Sequence, residues 1–155
     1  MLEDCKSAKE RWGGVSTIID RWLQERQDML VRYCALSAMT SFDEEDPARC
    51  EQIQQLCQVM MDYVSAGHFE VYDQLVREGK EFNDDAALEK ADTLYSQVES
   101  TTDAVLDFND KYQETDDLSS LPQDLSTIGE QLETRFAAED GMIAVLHMAH
   151  KDLVA

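Results

Sequence analysis

Apolar residues return every three or four positions along almost the whole chain, and only two prolines and six glycines interrupt them. That period sets side chains on one face of an α-helix, whereas a half-buried strand needs alternation, so the chain is committed to helices. The first stripe runs Ile18, Trp22, Met29, Tyr33 and Leu36, with Ile19, Leu23, Leu30 and Cys34 beside it. An apolar face so wide has to be buried. Further stripes run through Ile53, Leu56, Met60, Val64, Val71 and Leu75, through Leu88, Ala91, Tyr95, Val98, Val105, Phe108 and Tyr112, and through Leu125, Ile128, Leu132, Phe136, Ile143 and Leu146.

The boundaries between these stripes follow from residues that start or stop helices. Gly13-Gly14 is predicted to separate a short amphipathic piece carrying Leu2 and Trp12 from the first long helix. The acidic run from Asp43 to Asp46 followed by Pro47 reads as a polar loop and a helix start, since carboxylates and a first-turn proline both suit a helix N-terminus. Gly79 is expected to close the second helix as a left-handed cap, and Asn83-Asp84 to open the third. A loop through QETDDLSSLP leads past Pro122 into the last. Connections this short make neighbouring helices antiparallel, so the expected fold is all-α. It is an antiparallel up-down four-helix bundle with a short N-terminal helical extension, a single domain over residues 1–155.

Charge narrows the partners. The chain carries 33 acidic against 13 basic residues, a formal net charge of -20. Such a field repels phosphate backbones and anionic lipid, so neither direct nucleic-acid binding nor a membrane is expected, and a basic protein is the natural partner. The opening MLEDCKSAKE lacks the cationic start and apolar run of a secretory signal, and no stretch reaches the roughly 18 apolar residues of a membrane span. A cytoplasmic protein is expected.

Chemistry is sparse. Cys5, Cys34, Cys50 and Cys57 form no CxxC and read as free, mostly buried thiols. A di-iron bundle needs a Glu-x-x-His pair on each of two helices, and none occurs. His147 and His150 fall in the last turns, where fraying is expected, and His68 reads as a satisfied buried histidine. There is no GxSxG elbow and no glycine-rich phosphate loop. The chain therefore reads as a binding protein with no catalytic residue, metal or cofactor. A metal- or cofactor-binding bundle and a general acidic DNA mimic or chaperone stay open as alternatives.

Two clusters stand out. Ser65, Ala66 and Gly67 place three small residues inside a helix, where Gly67 costs about 1 kcal/mol relative to alanine. Spacing favours a packing notch there over the floor of a groove. Asp62, Ala66, Phe69 and Asp73 share one face at helical spacing, so an acid, a small floor and an aromatic anchor line up. In the last helix Glu139 and Asp140 interrupt the apolar stripe, near Glu133 and Arg135. These groups either form an ion network with Asp20, Arg21 and Arg26 of the first helix, at little net gain in stability, or leave some carboxylates for a partner, and spacing does not decide between the two.

Three blocks, DRWLQERQDMLVRYCAL from Asp20, MDYVSAGHFEVYDQL from Met61 and STIGEQLETRFAAED from Ser126, together resemble the Rsd/AlgQ family of bacterial regulators that bind the primary sigma factor of RNA polymerase. The opening LEDCKSAKERWGGV looks closest to the AlgQ branch, named for control of alginate production. The resemblance implies a helical bundle that grips the C-terminal, promoter-recognising domain of a sigma-70-type factor and occludes its contacts with promoter and core polymerase. That target is a basic helix-turn-helix domain. Anti-sigma activity is implied, with positive control of alginate-type genes beside it. The resemblance also implies that Ile18, Asp62, Ser65 and Phe69 are interface positions, Asp62 pairing with a sigma arginine while Phe69 and Ile18 fill apolar pockets. Arg21, Trp22 and Val31 join them by proximity within the same block. It turns the reading of the small-residue segment from notch to groove.

Overall fold

The structure, a computed structural model, describes residues 2–38, 47–114 and 117–150, the side chains of 2–13, 47 and 114 excepted. Its helices are α1 (Leu2–Ser37), α2 (Pro47–Ala66), α3 (Tyr72–Glu81), α4 (Asp85–Glu114) and α5 (Leu121–Leu146). A π-helical turn, Gly67–Val71, joins α2 to α3 as one continuous rod, and a 3₁₀ turn, Met148–His150, follows α5. No strand occurs among the described residues. The protein is all-α, as the apolar period requires.

The ends of the helices correct the sequence reading in two places. α1 runs through Gly13 and Gly14 without a break, so the expected separate N-terminal extension is part of the first helix. Glycine in a helix interior costs backbone entropy, but it meets no steric obstacle and keeps its hydrogen bonds, so a long helix absorbs the loss. The second correction concerns Gly79, which lies inside α3 and does not cap it. Here the left-handed residue is Asn83, with φ of 53°. The Asp84 amide reaches back to the Gly79 carbonyl and the Asn83 amide to that of Lys80, both at 3.1 Å. This is the paired closure of a Schellman motif, with asparagine where glycine is commonest. Gly79 is glycine for another reason, since a Cβ there would stand 2.8 Å from a Leu146 methyl and 2.9 Å from one of Leu88.

Other signals act as read. α2 starts at Pro47, while the acidic run before it lies outside the described residues. Asp84 Oδ1 accepts the Ala87 amide at 3.1 Å, capping α4. Pro122 occupies the first turn of α5. Lys111 and Tyr112 at the end of α4 both donate to Asp124, fixing the entry to α5.

Contacts between helices run in opposite chain order. Ser16, Arg26 and Tyr33 of the first helix meet His147, Asp140 and Leu125 respectively. Thr101 and Lys111 of α4 meet Arg135 and Asp124 of α5. The buried faces form one continuous apolar core, centred on side chains such as Met29, Leu56, Met60, Leu75, Val105 and Leu121. Each such side chain contributes about 1.5–3 kcal/mol on leaving water, set against the entropy of ordering it. Among the described residues, no helix is long and apolar enough to cross a membrane.

The histidines and cysteines depart from expectation. His147 and His150 are buried and bonded, His147 to Glu78 at 2.7 Å and His150 to Asp84 at 2.9 Å, because the end of α5 and the 3₁₀ turn after it lie beside the end of α3. His68 is exposed. Of the thiols described, Cys57 alone is buried, and burial pushes it up to about 11; Cys34 is exposed and Cys50 half-buried.

Candidate functional site

Beneath the surface at Phe69 lies a buried polar centre, and its construction decides which side chains face outward. Arg135 and Glu139 stand one turn apart on the inner face of α5, both almost wholly buried. Tyr63 of α2 donates its hydroxyl to Glu139 at 2.6 Å, and Tyr72 of α3 donates to the other carboxylate oxygen. Arg26 comes from α1, 3.6 Å from Glu139 and 2.6 Å from Asp140, with its guanidinium over the Phe136 ring. Of the two uses left open for these charges, an ion network between the first and last helices forms through Arg26, while Asp20 and Arg21 stay exposed.

Burial raises the Glu139 carboxyl above its ordinary range, and the two tyrosines and two arginines pull it back. Burial also raises both phenols, Tyr63 and Tyr72, and the Glu139 carboxylate raises them further, so they remain protonated donors. Arg135 completes the centre by donating to Thr101 and Thr102 at 3.1 Å. Arg26 Nη2 and Arg135 Nε face Glu139 at ion-pair distance without a hydrogen bond, and the paired charges with the tyrosine and threonine hydroxyls fix how the helices stand against one another.

Trp22 is laid on this centre. Its ring stacks on Tyr63 with centroids 4.7 Å apart and 2° between planes, and its indole N–H donates to the Tyr63 carbonyl at 3.0 Å. Gly67 passes directly against it, since a Cβ would stand 3.0 Å from the indole and 3.1 Å from the Tyr72 hydroxyl. Gly67 is therefore a packing notch, as spacing alone suggested and against the groove reading that the resemblance brought to this residue. The π turn starts at that residue, with the Tyr72 amide bonding back five residues to the Gly67 carbonyl. One extra residue per turn shifts the register, so that Val71 and Tyr72 return to the core while His68, Phe69 and Glu70 are pushed outside. Phe69 is left 75% exposed. Aromatic rings are enriched where proteins meet their partners.

The proposed positions separate on this scaffold. Ser65 and Asp62 are exposed about one and two turns before Phe69 on the same rod, Asp62 holding the amide of Gln58 at 3.0 Å. Ile18 is half-buried and Arg21 exposed on the adjoining side of α1. Trp22 is a correction, being 2% exposed and facing inward; it supports the surface from beneath. Val31 is 59% exposed, but it lies about 20 Å along α1 from Ile18 at 1.5 Å per residue, toward the end where Arg32 meets Gln55. It does not join the Phe69 cluster.

Glu25 does join it, and sequence reading missed it. It repeats at helical spacing after Ile18 and Arg21, which was the available signal. Burial raises its carboxyl, and the like charges of Asp62 and Glu70 raise it further, against the pull of Arg21. Its Oε2 has no hydrogen-bond partner among the described residues. A raised carboxyl binds its proton more tightly in the folded state, so its contribution to stability grows as pH falls through the raised value and is lost above it. Glu25→Gln should therefore melt no lower than the parent at pH 7, by a gain of at most about 2 °C, and should narrow the difference between melts at pH 5 and pH 7. A clear drop at pH 7 would mean that Glu25 is already well paired.

One array invites a catalytic reading. Ser16 Oγ lies 2.9 Å from His147 Nε2, whose Nδ1 lies 2.7 Å from Glu78, the bonding order of a hydrolytic triad. Ser16, however, sits within α1, where neighbouring amides are committed to helical hydrogen bonds and cannot receive an oxyanion. The array ties α1 and α3 to the end of α5. No group of three or more His, Cys, Asp or Glu suited to a metal ion occurs among the described residues.

Comparison with known proteins covers nearly the whole chain. Residues 1–147 match the family described as Regulator of RNA polymerase sigma(70) subunit, Rsd/AlgQ. The chain is 36% identical over 150 residues to the Regulator of sigma D of Enterobacter sp. (strain 638), covering 94% of this chain and 89% of that one. It is 30% identical over 148 residues to the Regulator of sigma D of Yersinia pseudotuberculosis serotype O:1b (strain IP 31758), covering 92% and 87%. The likeness takes in every block that carried the sequence resemblance and the helices between them. The chain belongs to the Rsd/AlgQ family of regulators of the RNA polymerase sigma(70) subunit, whose members are binding proteins and not enzymes.

Proposed function

We propose that this chain is a cytoplasmic transcription regulator that binds the C-terminal, promoter-recognising domain of the primary sigma factor. The contact face is built from Ile18, Arg21, Glu25, Asp62, Ser65 and Phe69, with Val31 at most a peripheral contact. The observation that carries this is Phe69, 75% exposed on a π turn beside the Asp62, Glu25 and Glu70 carboxylates. A DNA-binding domain offers arginines and lysines shaped for phosphate, and an acidic face can take them instead. The protein's net charge of -20 speeds encounter, while the exposed ring supplies a salt-insensitive anchor. Masking that domain withholds it from promoter and core polymerase. Release of polymerase to other sigma factors, and positive control of alginate-type genes, are the downstream effects we infer. The frame is a single domain, an up-down antiparallel four-helix bundle, supported by the reversed order of contacts along neighbouring helices.

Calorimetry against the purified sigma domain tests the face. Phe69→Ala and Asp62→Ala should each weaken binding by about 2 kcal/mol, roughly 30-fold, with melting unchanged because both side chains are exposed. Unaltered affinity in both variants would remove the assignment.

A further inference from the structure

A cleft of about 550 Å³ opens between α3 and α4, around the edge of the rod from Phe69. Its floor is apolar, made by Tyr72, Val76, Leu88, Tyr95 and Met142. The two tyrosine rings meet edge to face at 5.8 Å, and the Tyr72 hydroxyl is already engaged by Glu139, so Tyr72 offers the cleft its ring and not a donor. The walls differ in charge. Lys80 stands on the α3 wall, where Asp73 is held by Arg77 at 3.1 Å, while Glu89 and Asp92 stand exposed on the α4 wall.

The cleft is continuous with the Phe69 face. His68 lines it and packs edge-on against Phe69 with centroids 4.8 Å apart, and its Nδ1 lies 3.5 Å from the Tyr95 hydroxyl across the cleft. A ligand body that covers Phe69 therefore reaches the cleft mouth over a single side chain. Clefts of this size with apolar floors and a few polar groups at the rim accept an anchoring side chain or a small ligand. The openness of the mouth and the carboxylates of one wall match a basic domain that presents an apolar residue near a cation.

We infer that this cleft receives a second apolar side chain of the basic domain that docks on Phe69, with a lysine or arginine of that domain meeting Glu89 and Asp92 on the α4 wall. This rests on the function proposed above and extends its contact surface from one anchor to two. Two anchors on either side of His68 fix the orientation of the bound domain, which a lone ring cannot do.

The test is calorimetry of the full chain against the purified sigma C-terminal domain. Val76→Trp fills the cleft without changing charge and should weaken binding about tenfold. Glu89→Gln with Asp92→Asn should weaken it about threefold at low salt, more than the control pair Asp103→Asn with Glu130→Gln, which alters charge equally on exposed helix positions elsewhere. If Phe69→Ala weakens the complex while the filled cleft and the rim pair match parent and control, the cleft proposal is overturned and the proposed function stands. If Phe69→Ala and Asp62→Ala are also without effect, the assigned contact face falls with the cleft, and if the parent forms no complex with the domain, the proposed function falls as well. Should Val76→Trp fail to fold by circular dichroism, the rim pair against its control decides. A concentration-dependent dimer in sedimentation that Val76→Trp abolishes would assign the cleft to a second copy of this chain and overturn the proposal.

Discussion

Glu139→Ala is expected to melt on the order of 10 °C below the parent, a loss of about 3–5 kcal/mol. The carboxylate is 1% exposed and receives Tyr63 and Tyr72 while facing Arg26 and Arg135. Deleting it leaves Arg135, itself 2% exposed, as a buried cation with its opposite charge removed, and strips two phenols of their acceptor. Breaking one partner of such a set costs far more than the set contributes as a whole. Glu139→Gln, which keeps the volume and one acceptor, should lose about half as much. Denaturant unfolding of both variants checks the order. A loss below 1 kcal/mol in the alanine variant would show that water or rearranged side chains replace the carboxylate.

Trp22→Ala should cost a comparable 3–5 kcal/mol, because it removes a fully buried ring that stacks on Tyr63 and roofs Gly67. Its value is diagnostic. Were Trp22 a partner contact, its loss would leave melting nearly unchanged and weaken the sigma complex directly. As a core residue it should lower the melting temperature sharply, and the folded fraction should bind with an affinity close to that of the parent. Trp22→Phe should be milder, since it keeps the stacking and loses the indole hydrogen bond to the Tyr63 carbonyl. Paired measurements of stability and affinity separate the two roles.

Much of the molecule was legible before any coordinate. The apolar stripes named helices that form, and residues such as Met29, Leu56, Val98 and Ile128 are buried where the period placed them. Burial is a property of local periodicity, and local periodicity is written in the chain. An ion network was one of two uses open to the charged residues that interrupt the stripes, and its membership was not legible. Tyr63, Tyr72, Thr101 and Thr102 joined it because distant helices bring them within reach, a matter of packing that spacing does not encode.

The π turn was not legible. Three-and-four spacing put Phe69 on a shared face with Asp62, Ala66 and Asp73, but the five-residue step at Gly67 alters the phase of everything after it. That step follows from seating Gly67 against Trp22, a contact between residues far apart in sequence. The same logic moved Trp22 from the contact face to the core and brought Glu25 into the acidic cluster. Gly79 was misread because a glycine looks alike whether it serves a left-handed cap or a close approach, and only the Leu88 and Leu146 methyls beside it distinguish the two.

The sequence by itself determined that this protein is helical, strongly acidic and a member of a sigma-regulator family, because composition, period and motif are local and additive properties of the chain. Tertiary structure alone decided which side chain stands out from the bundle. Phe69 is presented because a buried tryptophan, a glycine notch and a carboxylate held by two tyrosines and two arginines together leave the turn no other direction.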